Sequence, residues 1–197
     1  PVPYILGEAW FCGFAFSVDE TVLIPRSPIA ELIESGFAPW VDPDRLQRIA
    51  DVGTGSGCIA IAAALALPGV QVDALDDSPA ALACARDNAR RHGVEDRVTV
   101  RESDLLDAIP PEPLLDLIVS NPPYVDAAAM ATLPPEYRHE PREALAAGDD
   151  GLDAVRRLLP QAAERLADHG LLVCEIGHGA AAFEAAFPEL PVTWIEF

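Results

Sequence analysis

The sequence predicts an α/β protein built on a parallel sheet covered by helices on both faces. Three observations carry that prediction. From about Arg48 onward, short apolar segments alternate with helix-patterned ones. The strand-like segments are near-continuous apolar runs, as strands buried on both faces require. The first of them enters a glycine-rich turn that opens a helix, Asp51-Val52-Gly53-Thr54-Gly55-Ser56-Gly57.

Ahead of that alternation, Tyr4–Phe11 and Phe14–Val18 are aromatic-rich runs around Cys12-Gly13 and predict a β-hairpin. Val22–Ile24 predicts a third short extended piece, closed by Pro25. Ser27-Pro28 starts a helix with Ile29, Leu32 and Ile33 on one face and Gly36 near its end. Ile49–Val52 is the first parallel strand, and Cys58–Leu67 is an alanine-rich helix stopped by Pro68-Gly69. Val70–Leu75 is a strand. Ser78–His92 is a helix, with Ser78 as N-cap and Pro79 at its first position. Val98–Arg101 and Leu114–Ser120 are strands. Asn121 to about Gly148 reads as one long proline-rich loop, and such a segment in a compact domain is a functional candidate. Leu152–Ala167 has helical periodicity and stops before Gly170. Leu171–Ile176 is a strand, Ala180–Phe187 a short helix and Val192–Phe197 a last strand.

A chain of 197 residues has the length of one domain. Its 13 basic residues face 32 acidic ones, a formal net charge of −19. Every basic residue is arginine, and lysine is absent. That excludes a Walker phosphate loop, a Schiff-base lysine and a Ser-Lys hydrolase. The acidic balance argues against tight sequence-independent binding to duplex DNA, which depends on neutralising phosphates. Solubility and genome bias account for it equally well. Cys12, Cys58, Cys84 and Cys174 form no Cys-x-x-Cys pair, and the histidines add no cluster, so no metal site is expected. Cys58 and Cys174 sit in apolar segments and predict buried free thiols in a reducing compartment, hence a cytoplasmic protein. No signal peptide is visible, and no apolar stretch reaches the ~18 residues of a membrane span. The chain starts at Pro1 and stops within a strand-like run, so it is expected to be a piece of a longer protein. Oligomeric state is not legible.

Two motifs carry chemistry. In the glycine turn, Gly53, Gly55 and Gly57 let the backbone bend sharply and approach a ligand, with helix N–H groups beyond. A tight strand-to-helix turn needs no more than this. Asp76, at the end of the next strand, lies at about the separation (~20 residues) at which an acid meets ribose hydroxyls. Asp77 stands beside it, though Asp76 fits the strand end better. Ser103-Asp104, past the third strand, suits an adenine edge or an ordinary loop. In the second motif, Asn121-Pro122-Pro123-Tyr124 follows the fourth strand directly. The prolines fix φ and remove donors, and Asn121 adds a side-chain oxygen. Together they form a rigid pair of acceptors for a planar –NH2 group, and Tyr124 can stack on it.

The run Asp51–Gly57 followed by Asn121–Tyr124 resembles the class I S-adenosylmethionine-dependent methyltransferases that act on exocyclic or amide nitrogen. Val22-Leu23-Ile24-Pro25-Arg26 narrows the resemblance to the protein-glutamine N(5)-methyltransferases, the HemK/PrmC and PrmB group. Two features favour the PrmB branch. One is Arg26-Ser27-Pro28-Ile29, where release-factor enzymes carry Arg-Pro-x-Thr-Glu. The other is Glu136-Tyr137-Arg138-His139-Glu140-Pro141 before Gly148–Leu152. The resemblance covers Tyr4 to Phe197.

The resemblance implies a Rossmann-like sheet and S-adenosyl-L-methionine as cofactor, leaving S-adenosyl-L-homocysteine. It implies a glutamine of the basic ribosomal protein L-three as substrate, with no direct nucleic-acid or membrane partner. The catalytic residues it implies are Asn121, Pro122, Pro123 and Tyr124. The cofactor-binding ones are Asp51, Gly53, Thr54, Gly55, Gly57, Asp76, Asp104 and Asn121. Pro25 and Arg26 would lie near the substrate, Arg26 being equally suited to a structural ion pair. Relatives open with a helical domain, so residues 1–26 are expected to be the hairpin and linker from it. Residues 27–197 would be the catalytic domain, lacking a final antiparallel strand. A release-factor glutamine methyltransferase, an adenine-N6 methyltransferase of nucleic acid and an inactive cofactor-binding module are the alternatives.

Overall fold

The computed structural model describes residues 1–195. Helix α1 (Val2–Leu6) ends on Gly7, whose φ of +67° supplies the left-handed cap. Strands β1 (Glu8–Phe11) and β2 (Phe14–Ser17) form the antiparallel hairpin. The expected strand over Tyr4–Phe11 is therefore shorter, because its first residues coil into α1. Val22–Ile24 is not a strand but irregular chain, with Val22 buried against Ala9, Val18 and Ala81. Helix α2 (Ile29–Glu34) buries Ile29, Leu32 and Ile33, the face its spacing predicts.

The alternation then follows. Strand β3 (Arg48–Val52) leads to helix α3 (Cys58–Ala66), and β4 (Gln71–Asp76) to α4 (Pro79–Arg91). Ser78 caps α4 by accepting from the Ala81 N–H at 3.3 Å. Strands β5 (Val98–Glu102) and β6 (Leu115–Ser120) come next. The segment after β6 is more ordered than a plain loop. Asp126 caps a short helix, α5 (Ala127–Thr132), and two single-turn helices follow. Helix α6 (Asp153–Arg165) runs directly into β7 (Leu166–Cys174), which starts earlier than Leu171 because no turn separates the two. Helix α7 (Ala180–Ala186) closes the regular structure. The expected last strand is not formed over residues 192–195, and Glu196 and Phe197 lie outside the described residues.

The sheet has the order β5-β4-β3-β6-β7, with every neighbouring pair parallel. Alternate side chains feed two cores. Ile49, Val72, Leu117 and Val119 pack with α2, α3 and the hairpin. Ala50, Leu75, Leu115 and Ile118 pack with Leu158 and Ala162 of α6. This is the helix-covered parallel sheet the sequence predicts. The hairpin is bound to the sheet through Asn88 of α4, which is fully buried. Its Oδ1 accepts from the Ser17 N–H at 2.8 Å, and its Nδ2 donates to the Ser17 and Ser56 carbonyls at 2.9 Å each.

Register positions the site. Leu75, Val52, Ser120 and Cys174 pair in one row across four strands. One residue further on stand Asp76, Gly53, Asn121 and Glu175, level with one another at the carboxyl edge. The order in which successive strands are laid down reverses between β3 and β6, and crevices at such switch points are where open α/β sheets bind ligands. No helix among the described residues is long and apolar enough to cross a membrane. No cluster among them could hold a metal ion.

Candidate active site

The glycine turn begins where β3 meets β4. The Gly53 and Thr54 N–H groups donate to the Leu75 carbonyl, at 2.9 and 2.8 Å. Gly53 and Gly55 have φ of +74° and +55°, and a Cβ on either would meet nothing within 4 Å. Both therefore face open space. Gly57 differs: a Cβ there would lie 3.1 Å from Ala85 Cβ and 3.1 Å from Ile61 Cδ1, so its role is close packing of α3 on α4.

Asp51 lies beneath the turn, 1% exposed. Its Oδ2 accepts from Thr54 Oγ1 at 2.6 Å and from the Ala60 N–H at 3.1 Å. Burial pushes its pKa up to about 7 against those two hydrogen bonds. Asp51 thus holds the turn in shape from below. Asp76 accepts the Gly55 N–H at 2.8 Å and the Ser78 N–H at 2.9 Å. Its pKa is also raised, chiefly by burial.

A cavity of about 320 Å³ sits above the turn. It is lined by Gly53, Thr54, Gly55, Asp76, Asp104, Pro25, Arg26, Asn121, Pro122 and Pro123 among others. Its volume falls in the range of small-molecule sites. Asp104, at its rim, is ion-paired with Arg157. Ser103 is turned inward, donating to the Leu105 carbonyl at 2.8 Å. The open glycines and the ribose-distance acid fit a nucleoside-bearing group.

A second cavity, about 400 Å³, shares Arg26, Asn121 and Pro122 with the first and adds Tyr124, Val125, Leu133 and Tyr137. The two meet at Asn121-Pro122. There the Asn121 Oδ1 is buried and has no hydrogen-bond partner among the described residues. A buried acceptor left open is costly until water or a ligand completes it.

Of the sequence-predicted residues, the first cavity gathers ten. Asp51 and Gly57 lie beneath it, and Tyr124 belongs to the second. Arg26 lines both cavities and is also ion-paired. Its guanidinium meets the nearly buried Glu140 carboxylate through two bonds, at 2.6 and 2.7 Å, and lies 4.9 Å from the Tyr137 ring centroid. Burial opposes its charge, but Glu140 outweighs burial and holds the guanidinium pKa above its usual value. Glu175 is a residue that sequence reasoning missed. It accepts from Tyr124 Oη at 2.9 Å and from Ser27 Oγ at 2.6 Å. A single acid past a strand end carries no spacing signal, so only topology reveals it.

A family model described as "Methyltransferase small domain" matches residues 37–136. A protein of Bordetella pertussis named "Ribosomal protein uL3 glutamine methyltransferase" is 53% identical over 197 residues, covering 100% of this chain and 66% of that protein. One of the same name from Francisella tularensis is 46% identical, covering 100% of this chain and 63% of the relative. The chain thus spans just under two thirds of the length of these relatives. Among solved structures, the N-terminal domain of human METTL16 in complex with SAH superposes with a TM-score of 0.58 at 20% identity, over 90% of this chain and 67% of that one. At that identity the likeness concerns the fold.

Proposed function

Since the chain belongs to the methyltransferase small domain family, we propose that it carries the catalytic centre of an S-adenosylmethionine-dependent enzyme methylating the side-chain amide nitrogen of a glutamine in ribosomal protein uL3. The relatives' shared name supports the choice of substrate. One observation carries the chemistry: the buried, unpartnered Oδ1 of Asn121, where two cavities meet.

S-adenosylmethionine, when bound, supplies an electrophilic methyl group. Gly53 and Gly55 leave the room for it, and Asp76 would accept from its ribose hydroxyls. Asp104, which pairs with Arg157 at the cavity rim, would meet its base edge. On the substrate side, Asn121 Oδ1 and the Pro122 carbonyl accept the two N–H bonds of the glutamine amide. An amide nitrogen is a poor nucleophile because its lone pair is delocalised into the carbonyl. Two fixed acceptors orient that nitrogen and stabilise the positive charge that grows on it during transfer. Tyr124, Pro25 and Arg26 wall the amide's approach. The proton released afterwards passes to water, and no titrating base is required. A basic ribosomal protein is the partner, met in the cytoplasm, with no nucleic acid held directly.

Mass spectrometry of purified uL3 and of a release factor, each incubated with the full-length protein and cofactor, tests this reading. One added methyl on a uL3 glutamine is the expected result. Methyl on the release factor alone would transfer the chemistry to that substrate, and label found only in nucleic acid would overturn it. Asn121→Ala should lower turnover by about 10²–10³-fold while calorimetry shows cofactor affinity within about threefold of wild type.

A further inference from the structure

Glu175 is placed by the row of strand ends, since its own N–H donates to the Ser120 carbonyl at 2.9 Å, one residue before Asn121. Its two carboxylate oxygens then serve two different pieces of chain. Oε1 accepts from Tyr124 Oη at 2.9 Å, and Oε2 accepts from Ser27 Oγ at 2.6 Å. The turn that follows is shaped for the same tyrosine. Gly177 has φ of +52°, and a Cβ there would stand 2.6 Å from Tyr124 Cε2. Across from it, a Cβ on Gly151 would stand 2.5 Å from the Tyr124 carbonyl oxygen. Tyr124 is therefore held at its hydroxyl, its ring and its backbone. Glu175 and Gly177 line neither cavity.

Burial, and after it Glu175, push the Tyr124 phenol well above its usual range, so the hydroxyl stays a donor. Hydroxyl bonds to a carboxylate are stronger than neutral ones. Two prolines separate Asn121 from Tyr124 and remove most backbone freedom between them. Fixing the tyrosine end of that tetrapeptide fixes the asparagine end.

We propose that Glu175, seated with Gly177, is a positioning residue for the methyl-transfer site: through Tyr124 it sets where the Asn121 and Pro122 acceptors hold the amide. The proposal rests on the amide-methylating reading above and adds to it a residue that touches neither substrate nor cofactor. Misplacing a reactive group by about 1 Å costs on the order of 10²-fold in rate. Glu175→Gln keeps the size but presents one acceptor where two hydroxyls donate.

In the full-length protein, E175Q should lower kcat by about 10–100-fold while KM for the protein substrate and the cofactor dissociation constant stay within about threefold. Y124F should do the same, and the double variant E175Q/Y124F should be no slower than the slower single one. Losses that multiply in the double variant would overturn the proposal, as would an E175Q enzyme with wild-type kcat. If E175Q loses cofactor binding together with turnover, Y124F decides, because it removes the same hydrogen bond and leaves Ser27–Glu175 intact; wild-type kcat there overturns the proposal. A wild type that binds cofactor but methylates neither uL3 nor the release factor would instead remove the functional reading, and the proposal with it.

Discussion

Three glycines in one turn do different work, and the difference is measurable. Gly53 faces the cavity and Gly57 faces the packed interior. Gly53→Ala is expected to cost about 1 kcal/mol of stability, the strain of φ +74°, yet to weaken cofactor binding more than about tenfold. Gly57→Ala is expected to reverse that balance. Its Cβ meets Ala85 and Ile61, so unfolding should be easier by about 1–3 kcal/mol, with a smaller direct effect on binding. Denaturation and calorimetry on the two variants separate the roles. Asp51 gives a pH test. Its folded pKa is raised to about 7, above the ~4 of an unfolded aspartate. The folded state therefore binds the extra proton, and stability falls as pH rises from about 4 through about 7. Asp51→Asn should remove that slope: the melting-temperature difference between wild type and D51N should shift against the wild type across this window. A constant difference would show that Asp51 does not titrate there.

At the scale of elements, what the sequence revealed follows from where burial is decided. The parallel strands and their helices are legible because long apolar runs have one way to be covered. The glycine turn and Asn121-Pro122-Pro123-Tyr124 are legible because each joins unusual backbone chemistry to a strand end. The errors fall where local pattern and tertiary context part. Tyr4–Leu6 looks extended by composition but is free to coil beside the hairpin, and Ala127–Thr132 gains its helix from the Asp126 cap. The clamp of Arg26 on Glu140 joins residues far apart in sequence, so no local pattern announces it. That clamp ties the chain entering α2 to the short helical turn Pro135–His139. Glu140→Gln should loosen both, raising amide hydrogen exchange in residues 21–27 and 135–141 by about tenfold or more, while amides of β3 and β4 keep their protection. Unchanged exchange at residues 21–27 would mean that the hairpin side alone holds this segment.

For the whole molecule, the net charge of −19 is the property with the longest reach. Cross-interface charges set encounter rates more than final affinity. Association with the proposed partner, a basic ribosomal protein, should therefore slow about tenfold or more between low and physiological salt, measured by stopped-flow, with a smaller change in dissociation. A flat response would return the charge to solubility alone. The hairpin belongs to the same whole, because Asn88 binds Ser17 on one side and Ser56 on the other. Its amide stands in for a neighbouring peptide unit, presenting an oxygen to one N–H and a nitrogen to two carbonyls. Exchange of that nitrogen for oxygen, the smallest chemical ageing an asparagine undergoes, would keep the side chain's outline. It would set a lone pair against each carbonyl, and one atom would turn an attachment into a repulsion felt in the glycine turn and the hairpin together.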